Sequence, residues 1–531
     1  VTSPAPPSAE HSRHGAGAAG AVVAMVSAFW VLRGTWGSGQ YLVRDFVAVP
    51  DPALPRGLLP DTASALRAWP LDGVTWALAL VIPTGVQQAV MLVAALVLAG
   101  SGAGLLVARH GAAASAATSG LAVWNPYVTE RLLLGQPPTL LGYAVMPWVL
   151  LAARSRAPLR RRLVLVLLAA APAVLTPWGG VVAGLTAVLG TLSREDRRPR
   201  DVAATGVLAA AWCLPWVVPA LVVGGVRADP LGAVAFALAD DTGLGTWLSA
   251  LFGGGVWGTA ARPRSREDPL VLVASTSVLL LAGAGAALVR RDVGRRWWVV
   301  AVATALLPAT LLTLLSGPAL EVSTVAQDIP GVALLRDQHR LLAPGVLGVA
   351  VLCGLAVGAV GRRAGQASGV VLGVLAMVLA VGSVPDLPRS VRAAYRPMPY
   401  PADWQRMTSA VEDLPGDPVV ASFPWQSFRR PDWAGGQVFL DPLPRALTAE
   451  VRTDTALAVR RDGVLVEVDP GDATDAAWRR GRVTADSLHE RGVTHVVEWL
   501  GTPGELPDDR RGWVEVIATA HFRVWDVTSA R

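Results

Sequence analysis

Four groups of polar residues stand outside the apolar runs of this chain and have the types and spacing to do chemistry. Asp45 closes the segment Tyr41-Leu-Val-Arg-Asp45, shortly after the first apolar run. An acid at the mouth of a helix bundle is costly unless it is paired or used, and a carboxylate there is a proton acceptor of the kind a general base requires. The plainer reading pairs it with Arg44 or makes it a helix cap. Glu130 and Arg131 end the segment Trp124-Asn-Pro-Tyr-Val-Thr-Glu-Arg131, a proline-set turn running into a short amphipathic stretch, read either as substrate-binding or as an interfacial helix with its aromatic residues at headgroup depth. Arg336, Asp337, His339 and Arg340 crowd into Leu334-Leu-Arg-Asp-Gln-His-Arg340, immediately before another apolar run. Arginines so placed clamp a phosphate through paired donors or anchor to anionic headgroups, and the spacing of four puts Arg336 and Arg340 on one face if the segment is helical. Asp240 and Asp241 are adjacent acids that would suit a divalent cation, although Asp241-Thr242 ahead of 244–252 is more simply a helix N-cap.

These groups need elements to hold them, and the composition says what kind. Over 531 residues the chain is 52% hydrophobic and only 16% charged, against roughly 25% charged in a soluble domain. Apolar runs at 16–32, 88–107, 112–124, 140–153, 163–175, 179–192, 202–223, 270–289, 297–315, 341–360 and 367–384 predict about eleven transmembrane helices, with those at 112, 140, 163 and 179 short of the roughly 20 residues a span needs. The first run lacks a small-residue cleavage site and is expected to be an uncleaved anchor. The net charge of +6 is carried by arginine alone, with no basic stripe interleaved with aromatics to suggest nucleic acid. Cys213 and Cys353 both fall in apolar runs and read as buried hydrophobes.

Arginine also orients the bundle. Arg109 with His110, the stretches 154–162, 194–200 and 290–296, and Arg362 with Arg363 all fall on one side if the runs alternate, and arginine-rich short loops stay cytoplasmic. The expected organisation is a cytoplasmic amino-terminal tail over 1–15, a transmembrane domain over 16–384 with a large first outer loop at 34–85, and an extracytoplasmic α/β domain over 385–531. Prolines 385, 388, 397, 399 and 401 make the junction a stiff linker. In the last domain a helix is expected over 402–414, and strands over 419–423, 464–468, 494–499, 514–518 and 521–527.

The order of one span, a large outer loop with an acid near its start, many further spans and an outer tail resembles the GT-C superfamily of integral-membrane glycosyltransferases, which use polyprenyl-phosphate sugars. More narrowly, Asp45-Phe-Val-Ala-Val-Pro50, Trp124-Asn-Pro-Tyr-Val-Thr-Glu-Arg131, Leu141-Gly-Tyr-Ala-Val-Met-Pro-Trp148 and Leu334-Leu-Arg-Asp-Gln-His-Arg340 are similar to segments of actinobacterial membrane proteins related to arabinofuranosyl- and mannosyltransferases. Tyr400-Pro-Ala-Asp-Trp404 and Phe423-Pro-Trp425 fit the same pattern. The superfamily often pairs acids in its first loop, whereas Asp45 has Arg44 beside it. The resemblance implies a polytopic α-helical fold and transfer of a sugar to a cell-envelope glycan or glycolipid acceptor. In that reading Asp45 is the base, Arg131, Arg336 and Arg340 are the phosphate-side cations, and Glu130, Asp337 and His339 complete the substrate site; no cofactor is specified, and Asp240 with Asp241 is the one candidate pair for a divalent cation.

Two other classes share part of this pattern: a lipid or glycan flippase, and a noncatalytic scaffold for envelope assembly. A transporter commonly shows two matching halves with interrupted helices, and here the long loops gather on one face instead. There is no Walker loop, zinc spacing, dinucleotide fingerprint or nucleophile elbow, which argues against an ATP-driven pump.

Overall fold

The computed structural model describes residues 7–55, 69–222, 229–291, 294–329, 336–461 and 464–528; Leu334 and Leu335 of the fourth-loop motif lie outside the described residues. The chain divides into two compact units, one of residues 1–33 and 91–392, the other of residues 34–90 and 393–531.

The helices that matter here are α1 (Pro7–Leu32), α2 (Thr84–Val107), α3 (Ala112–Val123), α4 (Pro126–Leu133), α5 (Pro137–Ala153), α6 (Leu159–Ala170), α7 (Pro177–Leu192), α8 (Pro199–Val222), α9 (Thr246–Leu251), α10 (Pro269–Val289), α11 (Arg295–Ser316), α12 (Ala343–Ala364), α13 (Gln366–Ser383), α14 (Leu387–Ala394) and α15 (Asp403–Glu412). Three begin with a polar cap followed by proline: Asn125-Pro126, Thr176-Pro177 and Asp268-Pro269. The cap oxygens accept from the amides of Val128, Gly179 and Leu270, while proline fills a first-turn position where its missing N–H costs nothing.

Seven helices among the described residues are long and apolar enough to cross a membrane, and α5 and α7 are shorter apolar helices of 17 and 16 residues. The runs expected at 112 and 163 fold as helices of 12 residues, about 18 Å at 1.5 Å per residue, well under the roughly 30 Å of a hydrocarbon core. α12 is the most enclosed of the seven. It packs against α3, α10, α11 and α13, and does so closely because small residues line the contacts: a Cβ on Gly285 would strike the Leu352 carbonyl, and one on Gly354 would strike Thr118.

The arginine-bearing connections of this unit meet one another. Arg362 reaches His110 at 3.0 Å, Arg363 donates to the Leu288 carbonyl, Arg154 donates to Ser193, and Arg194 donates to the Ser155 carbonyl. These bonds form two groups, one joining 362–363 to His110 and to the end of α10, the other joining 154–155 to 193–194.

The second unit is built on a mixed five-stranded sheet of β1 (Val419–Phe423), β2 (Glu450–Arg452), β3 (His495–Trp499), β4 (Val514–Ala518) and β5 (Phe522–Asp526), in the order β4-β5-β3-β1-β2. β1 runs parallel to β2 and β3, and β3, β5 and β4 are antiparallel. All five residues of β3 are buried, because each face of the sheet carries a core. One face holds Trp404 and Met407 of α15 against Trp499 and Phe522; the other holds Phe423, Trp425 and Trp478. The aromatic residues of the 400–404 and 423–425 motifs are therefore core anchors. The segment around Asp45 joins this unit through a short antiparallel pairing of Gln40 with Met398 and Tyr41 with Pro397.

Candidate functional site

Within the first unit, three connections converge on a buried polar network carried by α4. Adjacent residues on a helix point about 100° apart, so Glu130 and Arg131 face different partners. Arg131 takes Asp337 in a fork, with Nη1 to Oδ2 at 2.6 Å and Nη2 to Oδ1 at 3.0 Å, and Nη1 also donates to Gln136 Oε1 at 2.7 Å. Its Nε and Nη2 lie 3.0 and 2.6 Å from His339 Nδ1. A guanidinium only donates, so Nδ1 must accept, and the proton of a neutral imidazole is then on Nε2. That nitrogen stands 3.0 Å from Glu130 Oε2, which also accepts the Val256 amide at 3.1 Å. Tyr127, one turn before Arg131, stacks on His339 at 5.3 Å and donates to the Arg340 carbonyl.

The network continues beyond Glu130. Asp241 accepts Arg266 Nε at 2.8 Å and Nη2 at 3.3 Å, with both side chains buried. A Cβ on Gly254 would collide with Arg266 and come within 2.5 Å of Asp241 Oδ2, so the backbone crosses this ion pair with no room for a side chain. Glu130 Oε1 has no donor among the described residues, and its carboxyl faces Asp241. Burial, then the neighbouring Asp241 charge, holds the Glu130 carboxyl well above the usual carboxylate range. The Asp241 carboxylate stays low: burial opposes this, but Arg266 and the Glu130 hydrogen bond outweigh it. Asp337 likewise lies well below the usual range because Arg131 and Arg340 outweigh burial. Asp337, Arg131, His339, Glu130, Asp241 and Arg266 thus form one buried polar cluster of residues far apart in sequence, in which His339 Nε2 stands near Glu130 without a hydrogen bond among the described residues.

A pH dependence follows. Glu130 binds its proton more tightly folded than unfolded, so its contribution to stability is complete below pH 4.5 and is lost as pH rises toward the raised folded value. Glu130→Gln keeps an acceptor for Val256 without titrating. Thermal unfolding scanned from pH ~5 to ~9 should show the parent losing stability relative to this variant as pH rises. Parallel profiles would place the proton elsewhere.

The remaining candidates are arranged differently. Arg340, at 26% side-chain exposure, stands 3.1 Å from Asp337, and Arg336 lies over the Phe236 ring at 4.9 Å. Arg336 precedes the 3₁₀ turn Gln338–Leu342, so the spacing of four does not form a helix face. Asp241 is not the expected N-cap. α9 starts later, at Thr246, and the loop before it is organised by Asp240, whose carboxylate accepts from the amides of Thr242, Gly243 and Gly245 while Arg266 draws Asp241 inward. Among the described residues no group of three or more His, Cys, Asp or Glu is placed to hold a metal ion. Arg266 was missed in the sequence. Its only local signal was its place in the arginine cluster Arg262, Arg264 and Arg266 just ahead of the apolar run at 270–289.

Asp45 belongs to the second unit. It sits with Arg44 at the apex of a tight turn in which Val43 and Phe46 exchange backbone hydrogen bonds of 3.1 and 2.8 Å. Arg44 adopts φ 49°, a left-handed conformation that a bulky residue holds only when its surroundings impose it. Here its N–H donates to Val438 and its carbonyl accepts from Leu440, each at 2.8 Å. From Gln40 to Val49 every residue is buried except half-buried Arg44 and exposed Asp45. A rigid, packed segment therefore presents one carboxylate.

Neither a protein-family model nor a curated protein matches this sequence. The solved structure of the arabinofuranosyltransferase AftD from Mycobacteria superposes on 96% of this chain with a TM-score of 0.58 at 18% identity. The chain shares the fold of that part of the enzyme. A mutant form of the same enzyme gives 0.56 over 96% at 18% identity. The chain spans only 39% and 41% of those two chains.

Proposed function

We propose that this protein is a membrane glycosyltransferase that moves a sugar from a polyprenyl-phosphate donor to an extracytoplasmic envelope glycan or glycolipid. The observation that carries the reading is the likeness over 96% of the chain to an arabinofuranosyltransferase. The second unit and the connections that carry Glu130, Asp241 and Asp337 are assigned to the outer side, opposite the arginine-bearing connections.

The lipid phosphate is already a good leaving group, so the protein has two tasks: to remove the acceptor hydroxyl proton and to neutralise the charge left on phosphate as the anomeric carbon–oxygen bond breaks. Asp45 is assigned the first task because its carboxylate is exposed on a rigid turn. Arg336 and Arg340 are assigned the second, as the partly exposed cations of the fourth outer connection. Arg131, Asp337, His339 and Glu130 act behind them as positioning residues, since their polar atoms are engaged with one another away from solvent. Any cation held by Asp240 would have to replace backbone amides.

Titration of the full chain with a polyprenyl-phosphate sugar tests the assignment. Arg336→Lys with Arg340→Lys keeps both charges but loses planar paired donation, and should weaken donor binding about tenfold with folding intact. Unchanged donor affinity would reduce both arginines to membrane anchors.

A further inference from the structure

A second cationic feature of the first unit lies apart from these residues. An open cleft of about 580 Å³ is lined by Arg33, Arg264, Ser265, Asp386 and Arg389, with two prolines completing its wall. Its size falls in the range of sites that take small ligands. Each element contributes at a helix end: Arg33 directly follows α1, Arg264 opens the 3₁₀ turn Arg264–Glu267 just before α10, and Arg389 is in the first turn of α14, shortly after α13. The floor is fixed, because Asp386 accepts from the Ser265 hydroxyl at 2.7 Å and from its amide at 3.4 Å. The one carboxylate is therefore engaged, and the arginines outnumber it. Among the described residues Arg264 and Arg389 form no ion pair, while Arg33 lies over the Trp30 ring at 4.1 Å.

Three arginines held together without matching acids are a cost unless an anion joins them. The surroundings indicate which kind. Phe29, one turn before Arg33, is 63% exposed; Leu270 at the start of α10 is 79% exposed; Val381 near the end of α13 is 43% exposed. The cleft residues thus adjoin the ends of α1, α10 and α13, three candidate membrane spans with exposed apolar side chains. A ligand matching both parts has an anionic head and an apolar tail, and guanidinium groups donate in pairs to phosphate oxygens.

We propose that this cleft binds the phosphate-bearing headgroup of a membrane lipid. The site is independent of the transferase reading, since it requires no sugar and no acceptor. Polyprenyl phosphate and an anionic phospholipid share the relevant chemistry.

The test uses the full chain in a non-ionic maltoside micelle, incubated separately with polyprenyl phosphate, phosphatidylglycerol and inorganic phosphate and read by native mass spectrometry. The parent should retain at least one of the lipids. Arg33→Gln with Arg264→Gln and Arg389→Gln should lower that retention at least about tenfold, whereas the triple Lys variant keeps a substantial part of it. All three side chains are exposed, so these variants fold. Preference for polyprenyl phosphate would support the proposal and name an isoprenoid ligand, and equal retention of phosphatidylglycerol would support it as a general anionic-lipid site. Equal lipid retention by the parent and the triple Gln variant would overturn it, as would inorganic phosphate binding with no retained lipid.

Discussion

Asp45→Asn should leave the protein folded and lower sugar transfer by roughly 10²- to 10⁴-fold, the range for loss of a general base. The substitution keeps the side-chain shape and one acceptor oxygen, and removes only the charge that takes the proton. Folding is spared because Asp45 is exposed at the turn apex, and the hydrogen bonds that fix the turn run through the backbone of Val43, Arg44 and Phe46. Donor affinity should also survive, since phosphate neutralisation is assigned to other residues. Transfer by Asp45→Asn at the parental rate would move the base to another of Glu130, Asp240, Asp241 and Asp337. The first of these is a weak alternative, because it is buried beside Asp241.

Arg131→Met should destabilise the first unit by about 3–5 kcal/mol, the cost of leaving a buried charge without its partner. The loss would leave Asp337, whose side chain is 5% exposed, with only the half-buried Arg340 3.1 Å away, and remove both donors to His339 Nδ1. Adding Asp337→Leu should recover much of the stability, because replacing both members of a buried pair by apolar groups is often near neutral. Transfer should not recover with it, since Arg340 has lost the carboxylate 3.1 Å away that orients it. Thermal unfolding in detergent, read beside donor affinity, separates the two effects. A stable Arg131→Met protein with normal donor affinity would show that the network carries neither load.

The sequence was informative where local pattern decides structure. Strand-like alternation marked strands at 419–423, 464–468 and 514–518, and the proline-set turn at Asn125-Pro126 leads into a short amphipathic helix. It was less informative where partners are distant. Glu130 and Arg131 stood out as charges between apolar runs, but their contacts with Asp241 and Asp337 span more than a hundred residues, and nothing local reports them. The two-residue pairing that holds the Asp45 segment to Pro397 and Met398 leaves no periodic trace for the same reason. Adjacent acids were harder still. Asp240 and Asp241 have the same local character, yet one organises a loop and the other meets Arg266, a choice set by the side each faces in the folded unit. Arg336 and Arg340 carried a helical spacing into a segment whose helix begins only at Gln338.

The proposed formation of an envelope glycosidic bond is tested by linkage analysis of envelope glycans from a strain lacking the protein. A single sugar linkage should disappear, return with the parental chain and fail to return with Asp45→Asn. Envelope glycans with every linkage intact, or a lost linkage fully restored by Asp45→Asn, would contradict it.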